Sequence, residues 1–276
     1  MKIKINGADA DIRPENEKTI GEVLSALDAW LTGSGLRLSG LVIDGKEVKA
    51  GEMELSFAKN IDSIGTIDIR TSSLLQLIAD GLTRTMRDIK EFQEAGFNEK
   101  AAFLAKWKES PQACLLAEQT PQLFDWTIKT FSGEGTSPQV LTALYDERLR
   151  ELIDPAGEME RTSRIVEDVC VRLEEFPLDV QTGKDAKAAE TVNVFSGVAE
   201  KVFRVYNVLK MERAVAEITV ENMPINDYIA EFSKALKELL DAYERRDTIL
   251  VGDLAEYEMA PRLRCLHTAI LGAVKE

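Results

Sequence analysis

The chain has 276 residues, 45% of them hydrophobic, enough to build one large domain or two modest ones around a substantial core. Its 48 acidic against 34 basic residues give a formal charge of −14, which repels a phosphate backbone and argues against nucleic acid as a partner. Three cysteines without motif spacing, no apolar segment behind the opening MKIKING and no run of membrane length point to a reducing, cytoplasmic setting without a disulfide framework, zinc knuckle or membrane insertion.

The first 71 residues read as a small α/β unit. Lys2-Ile3-Lys4-Ile5 alternates with period two, Asn6-Gly7 supplies a tight turn, and Ala8 to Ile12 alternates again, which predicts a β-hairpin. Thr19-Ile20-Gly21-Glu22 has the spacing of a capping box, and Val23, Leu24, Leu27 and Leu31 follow at helical spacing until Gly33 and Gly35. Leu41-Val42-Ile43 leads through Asp44-Gly45 to Lys46-Glu47-Val48, a second hairpin, and a last strand is expected at Ile64 to Ile69. This order of elements, with Pro14 to Ile20 before the helix and Leu41 to Val48 after it, resembles the β-grasp fold of ubiquitin-like domains. The resemblance covers about a quarter of the chain. Members that act as modifiers or sulfur carriers end in Gly-Gly, whereas here Ile69-Arg70-Thr71-Ser72-Ser73 runs straight on. The resemblance therefore implies a docking or scaffold module rather than conjugation.

After Ser73 the period changes to 3.6. Leu74, Leu77, Ile78, Leu82, Met86, Ile89 and Phe92 mark one helix face, stopped by Gly96. Helical register continues over Ala101 to Trp107 and Leu115 to Phe131, with Pro111 and Pro121 as breaks or first-turn residues. Ser132 to Pro138 is a loop. Helices follow at Val140 to Ile153 and at Arg161 to Phe176, with Pro177 to Gly183 as the next connection. Asp185 caps a long helix carrying Phe195, Val202 and Leu209, and its neighbour carries Ile229, Phe232, Leu236, Leu239 and Tyr243. Asp247 or Thr248 opens a final helix in which Gly252 permits a close approach and Pro261 introduces a kink. The expected fold class is α+β: a β-grasp-like domain at 1–71 and a mainly antiparallel, acidic helical bundle at 72–276.

Several chemistries fail on residue types. Ile249-Leu250-Val251-Gly252-Asp253 has the form of a strand delivering a metallophosphatase aspartate, but His267 is the one histidine in the chain, so no binuclear site of that kind can be assembled. The same shortage removes a ferritin-like di-iron site at Glu91 and Glu94. Thr182-Gly183-Lys184-Asp185 lacks the first glycine and the hydroxyl of a phosphate loop, although Lys184 and Asp185 at a helix start remain a candidate anion contact. Cys265 and His267, two apart on a helix, point about 200° apart and do not cooperate.

These readings lead to a non-enzymatic interaction module, an adaptor or chaperone-like assembly factor that binds another protein through its helical domain, with no cofactor, catalytic or metal residues. Trp107, Phe124, Trp126 and Phe131, between helix breaks, are its candidate partner groove, set against a reading in which they are core. Two alternatives stay open: a small-ligand or anion-binding protein or enzyme with a site between the domains, and a structural homodimer.

Overall fold

The structure, a computed structural model, describes residues 1–12, 14, 16–212 and 218–275. The fold class is α+β. By its internal contacts the chain forms two compact units, Met1–Leu149 and Arg150–Glu276.

The first unit opens with a mixed five-stranded sheet. Its strands are β1 (Lys2–Ile5), β2 (Ala8–Asp9), β3 (Leu36–Ile43), β4 (Lys46–Glu47) and β5 (Thr66–Ser73), in the order β2-β1-β5-β3-β4. The central β1–β5 pair is parallel and the others antiparallel. Both predicted hairpins form. Asn6 and Gly7 (φ 50° and 81°) and Asp44 and Gly45 (φ 48° and 80°) are left-handed at both turn positions, the geometry that matches strand twist in a two-residue loop. The turn side chains also lock the sheet: Asn6 exchanges two hydrogen bonds with Thr71 (2.9 and 2.8 Å), and Asp44 Oδ1 accepts the amides of Gly65 and Thr66 (3.0 and 2.7 Å). Helix α1 (Ile20–Gly33) starts at the predicted capping box, and its Ile20 and Val23 pack with Ile3, Leu41, Ile67 and Ile69 in a small core. A short helix α2 (Met53–Phe57) passes close over Gly21, whose missing Cβ would lie 3.2 Å from Phe57.

Past Ser73, which caps it, α3 (Leu74–Glu94) is followed by α4 (Lys100–Lys108), α5 (Pro111–Gln119), α6 (Pro121–Phe131) and α7 (Pro138–Ile153). Pro111 and Pro121 each begin a helix, where a proline loses no hydrogen bond. The expected boundary at 71/72 falls within the last residues of β5, whereas the division into compact units falls after Leu149.

The second unit is helical: α8 (Pro155–Gln181), α9 (Asp185–Glu212), α10 (Ile225–Glu244), α11 (Thr248–Asp253) and α12 (Ala260–Lys275). Three features differ from the sequence expectation. First, α8 begins at Pro155, capped by Asp154, and continues past Pro177 to Gln181, so the expected connection at Pro177 to Gly183 shrinks to its last residues. Second, a hairpin of β6 (Thr219–Val220) and β7 (Met223–Pro224) precedes α10, turning on Glu221 and Asn222 (φ 52° and 67°) without the glycine that signals such turns. Third, residues Leu254–Met259 between α11 and α12 form a π-helical turn, in which the Ala260 N–H reaches the Ala255 carbonyl. Where a simple proline kink was expected, this wider turn places Pro261 in the first turn of α12, where its ring and missing N–H do least harm.

Three buried carboxylates, 1–3% exposed, align α9 with α8 and the end of α7. Glu151 receives both arms of Arg204 (3.2 and 3.0 Å), Glu158 pairs with Lys201 (2.7 Å) and Arg161 (2.8 Å), and Asp179 pairs with Lys187 (2.7 Å) and Lys184 (3.2 Å). The partner numbers fall as the carboxylate numbers rise, which fixes one antiparallel register. Burial pulls the Glu158 carboxyl up, but the Lys201 and Arg161 hydrogen bonds outweigh it and hold it below the usual range; Lys187 does the same for Asp179. Phe195, Val202, Phe232, Met259 and Leu263 form the core, and His267 Nε2 donates to the Met159 carbonyl (3.0 Å), tying α12 to α8. Among the described residues no helix is long and apolar enough to cross a membrane.

Arg204→Met takes away the guanidinium that the buried Glu151 faces, with an expected loss of about 2–3 kcal/mol, discounted from a fully buried pair because Arg204 is partly exposed. The double change Glu151→Leu/Arg204→Met should recover most of it in urea titrations. Equal losses in the single and double variants would mean that packing, not charge, sets this contact.

Candidate functional site

Trp107 and Phe131 lie inside the first unit, 3% and 4% exposed. Phe92, Phe103, Phe124, Trp107 and Phe131 form one aromatic cluster with ring centroids 4.4–5.8 Å apart, and Asp88 takes hydrogen bonds from Trp107 Nε1 (3.1 Å) and Gln112 (2.9 Å). Of the four residues expected to line a groove, two are core, Phe124 stacks on Trp107, and Phe124 and Trp126 are half-buried. For Trp107 and Phe131 the aromatic spacing is that of packing, which corrects the groove expectation at these two positions.

Lys184 and Asp185 are separated by what they face. The Lys184 ammonium pairs with buried Asp179 (3.2 Å). The helix cap is also different from expectation: the Lys184 carbonyl accepts the Ala188 N–H, and Asp185 is the first helical residue. Its carboxylate lines a cavity of about 620 Å³ at the end of the second unit.

That cavity is made by two helix ends of the same design. At the end of α8, Gly183 and Lys184 donate to the carbonyls of Val180 and Asp179; at the end of α10, Arg246 and Asp247 donate to those of Tyr243 and Ala242. Both are Schellman closures, which need one left-handed residue. In the first it is Gly183 (φ 71°), in the second Arg246 (φ 58°). Asp247 then caps α11 by accepting the Leu250 amide (3.1 Å). A third contact sets the spacing: Gly252 of α11 lies against Pro177 of α8, and a Cβ there would sit 3.2 Å from the proline Cβ and 3.3 Å from its Cγ.

The result is a half-open cleft with an apolar floor of Val180, Ala188 and Val251, the Tyr243 ring at its side, and Asp185, Glu244, Arg246 and Thr248 at its lip. Leu178, the residue after Pro177, and Ile249, in the first turn of α11, are 59% and 77% exposed. Two choices at the lip are poor for stability. Glu244 puts a negative charge at the negative end of α10, and Arg246 takes a conformation that costs a non-glycine residue about 1–2 kcal/mol. Among the described residues, no ion pair or side-chain hydrogen bond engages Asp185, Glu244 or Arg246. Of these residues the sequence marks Asp185 as a candidate contact, whereas Tyr243 reads as part of an apolar helix stripe, Ile249 as part of an apolar run, and Glu244, Arg246 and Leu178 carry no site signal. The one local signal was an arginine standing, one residue before a helix-capping aspartate, where glycine is usual.

Elsewhere, Glu91 and Glu94 share a shallow recess with Glu99, Phe103 and Lys106, a surface of mixed charge.

Two family descriptions match parts of the chain: the TP0873 N-terminal domain over residues 1–73, which span the five-stranded sheet, and a domain of unknown function (DUF8042) over residues 158–269, which contain the whole cleft. Over nearly its full length the chain is similar to an uncharacterized protein of Treponema pallidum (strain Nichols), 23% identical over 271 residues, covering 98% of this chain and 96% of that protein. No solved structure matches.

Gly252→Ala gains about 1 kcal/mol of helix propensity but presses a methyl group onto a rigid proline ring, and overpacking of that kind costs about 1–3 kcal/mol. A net loss of about 1 kcal/mol is expected in chemical denaturation; a gain would mean that α11 and α8 are not held in contact. Arg246→Gly, by contrast, should raise stability by about 0.5–1 kcal/mol once the extra freedom of glycine in the unfolded chain is deducted.

Proposed function

We propose that the chain is a non-enzymatic protein-interaction module, an adaptor or chaperone-like assembly factor, which holds a partner protein in the cleft between the ends of α8, α9, α10 and α11. The observation that carries this reading is the cleft itself: an apolar floor, with charged groups at its lip that make no ion pair among the described residues, and exposed apolar Leu178 and Ile249 close in sequence to its lining residues Val180 and Val251. Protein-binding sites commonly combine such an apolar centre with a polar rim. Glu244 and Arg246 add weight, because residues that break local rules at a cost in stability cluster at binding sites.

The N-terminal sheet fits a second, docking role. Its strand order, with parallel β1 and β5 at the centre and α1 over one face, supports the β-grasp resemblance. Because β5 runs directly into α3, this sheet carries no free carboxylate of its own for conjugation. A cytoplasmic setting belongs to the same reading, supported by three cysteines that are all free thiols.

The test is site-directed photo-crosslinking in the source cells, with a photo-reactive residue replacing Ile249 and, as a control, one replacing exposed Glu160 on α8. Adducts to one protein from position 249 and not from 160 are expected. Adducts only between copies of this chain would replace the adaptor reading with a homodimer, and no adduct specific to 249 would overturn it.

A further inference from the structure

The geometry points to the chemistry of the partner: the cleft takes a basic amphipathic segment of another polypeptide, with an apolar side chain on the floor of Val180, Ala188 and Val251 and a lysine or arginine between Asp185 and Glu244. This inference rests on the docking reading above and names what docks.

Three observations carry it. The first is charge complementarity. Residues 150–276 hold 25 acidic and 17 basic side chains, and residues 241–256, which form one side of the cleft, hold five acids against two arginines. At the lip itself Asp185 and Glu244 stand against Arg246, so the excess is one negative charge there and larger around it, and attraction between such a surface and a basic segment speeds encounter and sets orientation. The second is that the acids of the unit fall into two groups. Glu151, Glu158 and Asp179 are consumed by internal cations, whereas Asp185 and Glu244 face the same cavity with no ion pair among the described residues. A cation arriving with a partner would find carboxylates already placed and not engaged by the fold.

The third is the position of Glu244. Both ends of α10 are negative: Asp227 near the start complements the helix dipole, but Asp241 and Glu244 oppose it at the end, with Asp241 relieved in part by Arg245 (3.9 Å). A cation held at Glu244 would meet the side-chain charge and the negative helix end together, so the same charge that weakens the free protein strengthens the complex. Tyr243, half-exposed beside it, offers an aromatic face along which the alkyl stem of a lysine or arginine can lie. The cavity, about 620 Å³, has room for one such anchor and one stem.

The test uses the full chain and two labelled peptides of about 18 residues, long enough to form a helix: one of leucine and lysine in amphipathic order, the other with every lysine replaced by glutamate. Anisotropy is read at about 0.15 M salt, where unspecific attraction is largely screened. The leucine–lysine peptide should bind, and Asp185→Asn/Glu244→Gln should weaken it about tenfold or more. The charge-matched control Glu160→Gln/Asp168→Asn, at least 12 residues back along α8, should change it less than about twofold. Glu244→Gln removes a charge from the unfavourable end of α10 while Asp185→Asn removes one from the favourable start of α9, so a melting temperature close to that of the parent chain separates lost binding from lost folding.

Binding of the leucine–glutamate peptide as tightly as its counterpart, or equal losses from the cleft and control variants, overturns the inference. So does binding of neither peptide. The docking reading is judged apart from it: an adduct from position 249 to an acidic or neutral segment leaves that reading standing while the basic partner is rejected.

Discussion

Glu151, Glu158 and Asp179 are buried between α9 and the α7–α8 arm, each against cations of α9 or of the turn that leads into it. Slipping α9 by one turn would take Arg204 from Glu151, Lys201 from Glu158 and Lys187 from Asp179. Pairs of this kind add little net stability compared with packed hydrophobic residues, but they penalise wrong registers heavily. The register they select brings the turn at Gly183 and the first residues of α9 to the place where α10 closes.

What holds the other wall is a contact without charge. Gly252 lies against the ring of Pro177, and no larger residue fits there without displacement. Pro177 loses a backbone hydrogen bond inside α8, yet offers a flat rigid surface; Gly252 lowers helix propensity, yet admits that surface. Each is unfavourable alone and intelligible with the other. Beyond them the π-helical turn absorbs Pro261 and lets α12 continue against α8, where His267 reaches the Met159 carbonyl.

Much of the fold could be read from the residues where local chemistry decides. Asn6-Gly7, Asp44-Gly45 and the Thr19–Glu22 capping box specify their turns and cap without help from the rest of the chain. Failures came where distant residues decide. Pro177 reads as a break because nothing nearby announces Gly252, 75 positions later. Glu221-Asn222 turns a hairpin without glycine, with Val220 paired to Met223 across two left-handed residues. The π turn leaves the apolar spacing of its flanks unchanged, so periodicity does not reveal it. At the candidate site, the aromatic residues drew attention for their size, which in Trp107 and Phe131 serves burial. The cleft residues are ordinary in type, and Arg246 stands out only once its left-handed φ is known.

The two Schellman closures at the cleft mouth show what a helix end looks like when stability alone is served, at Gly183, and when it is not, at Arg246. The adaptor account joins that difference to the acids at the lip and the exposed Leu178 and Ile249, and assigns all of them to one docking surface. Hydrogen exchange on the full chain, with and without the protein captured from position 249, tests that assignment most directly. The account predicts added protection at residues 178–188 and 243–251, with the amides of the N-terminal sheet unchanged at the same sites and times. Protection confined to residues 1–73, with the cleft amides exchanging as in the free chain, would contradict it.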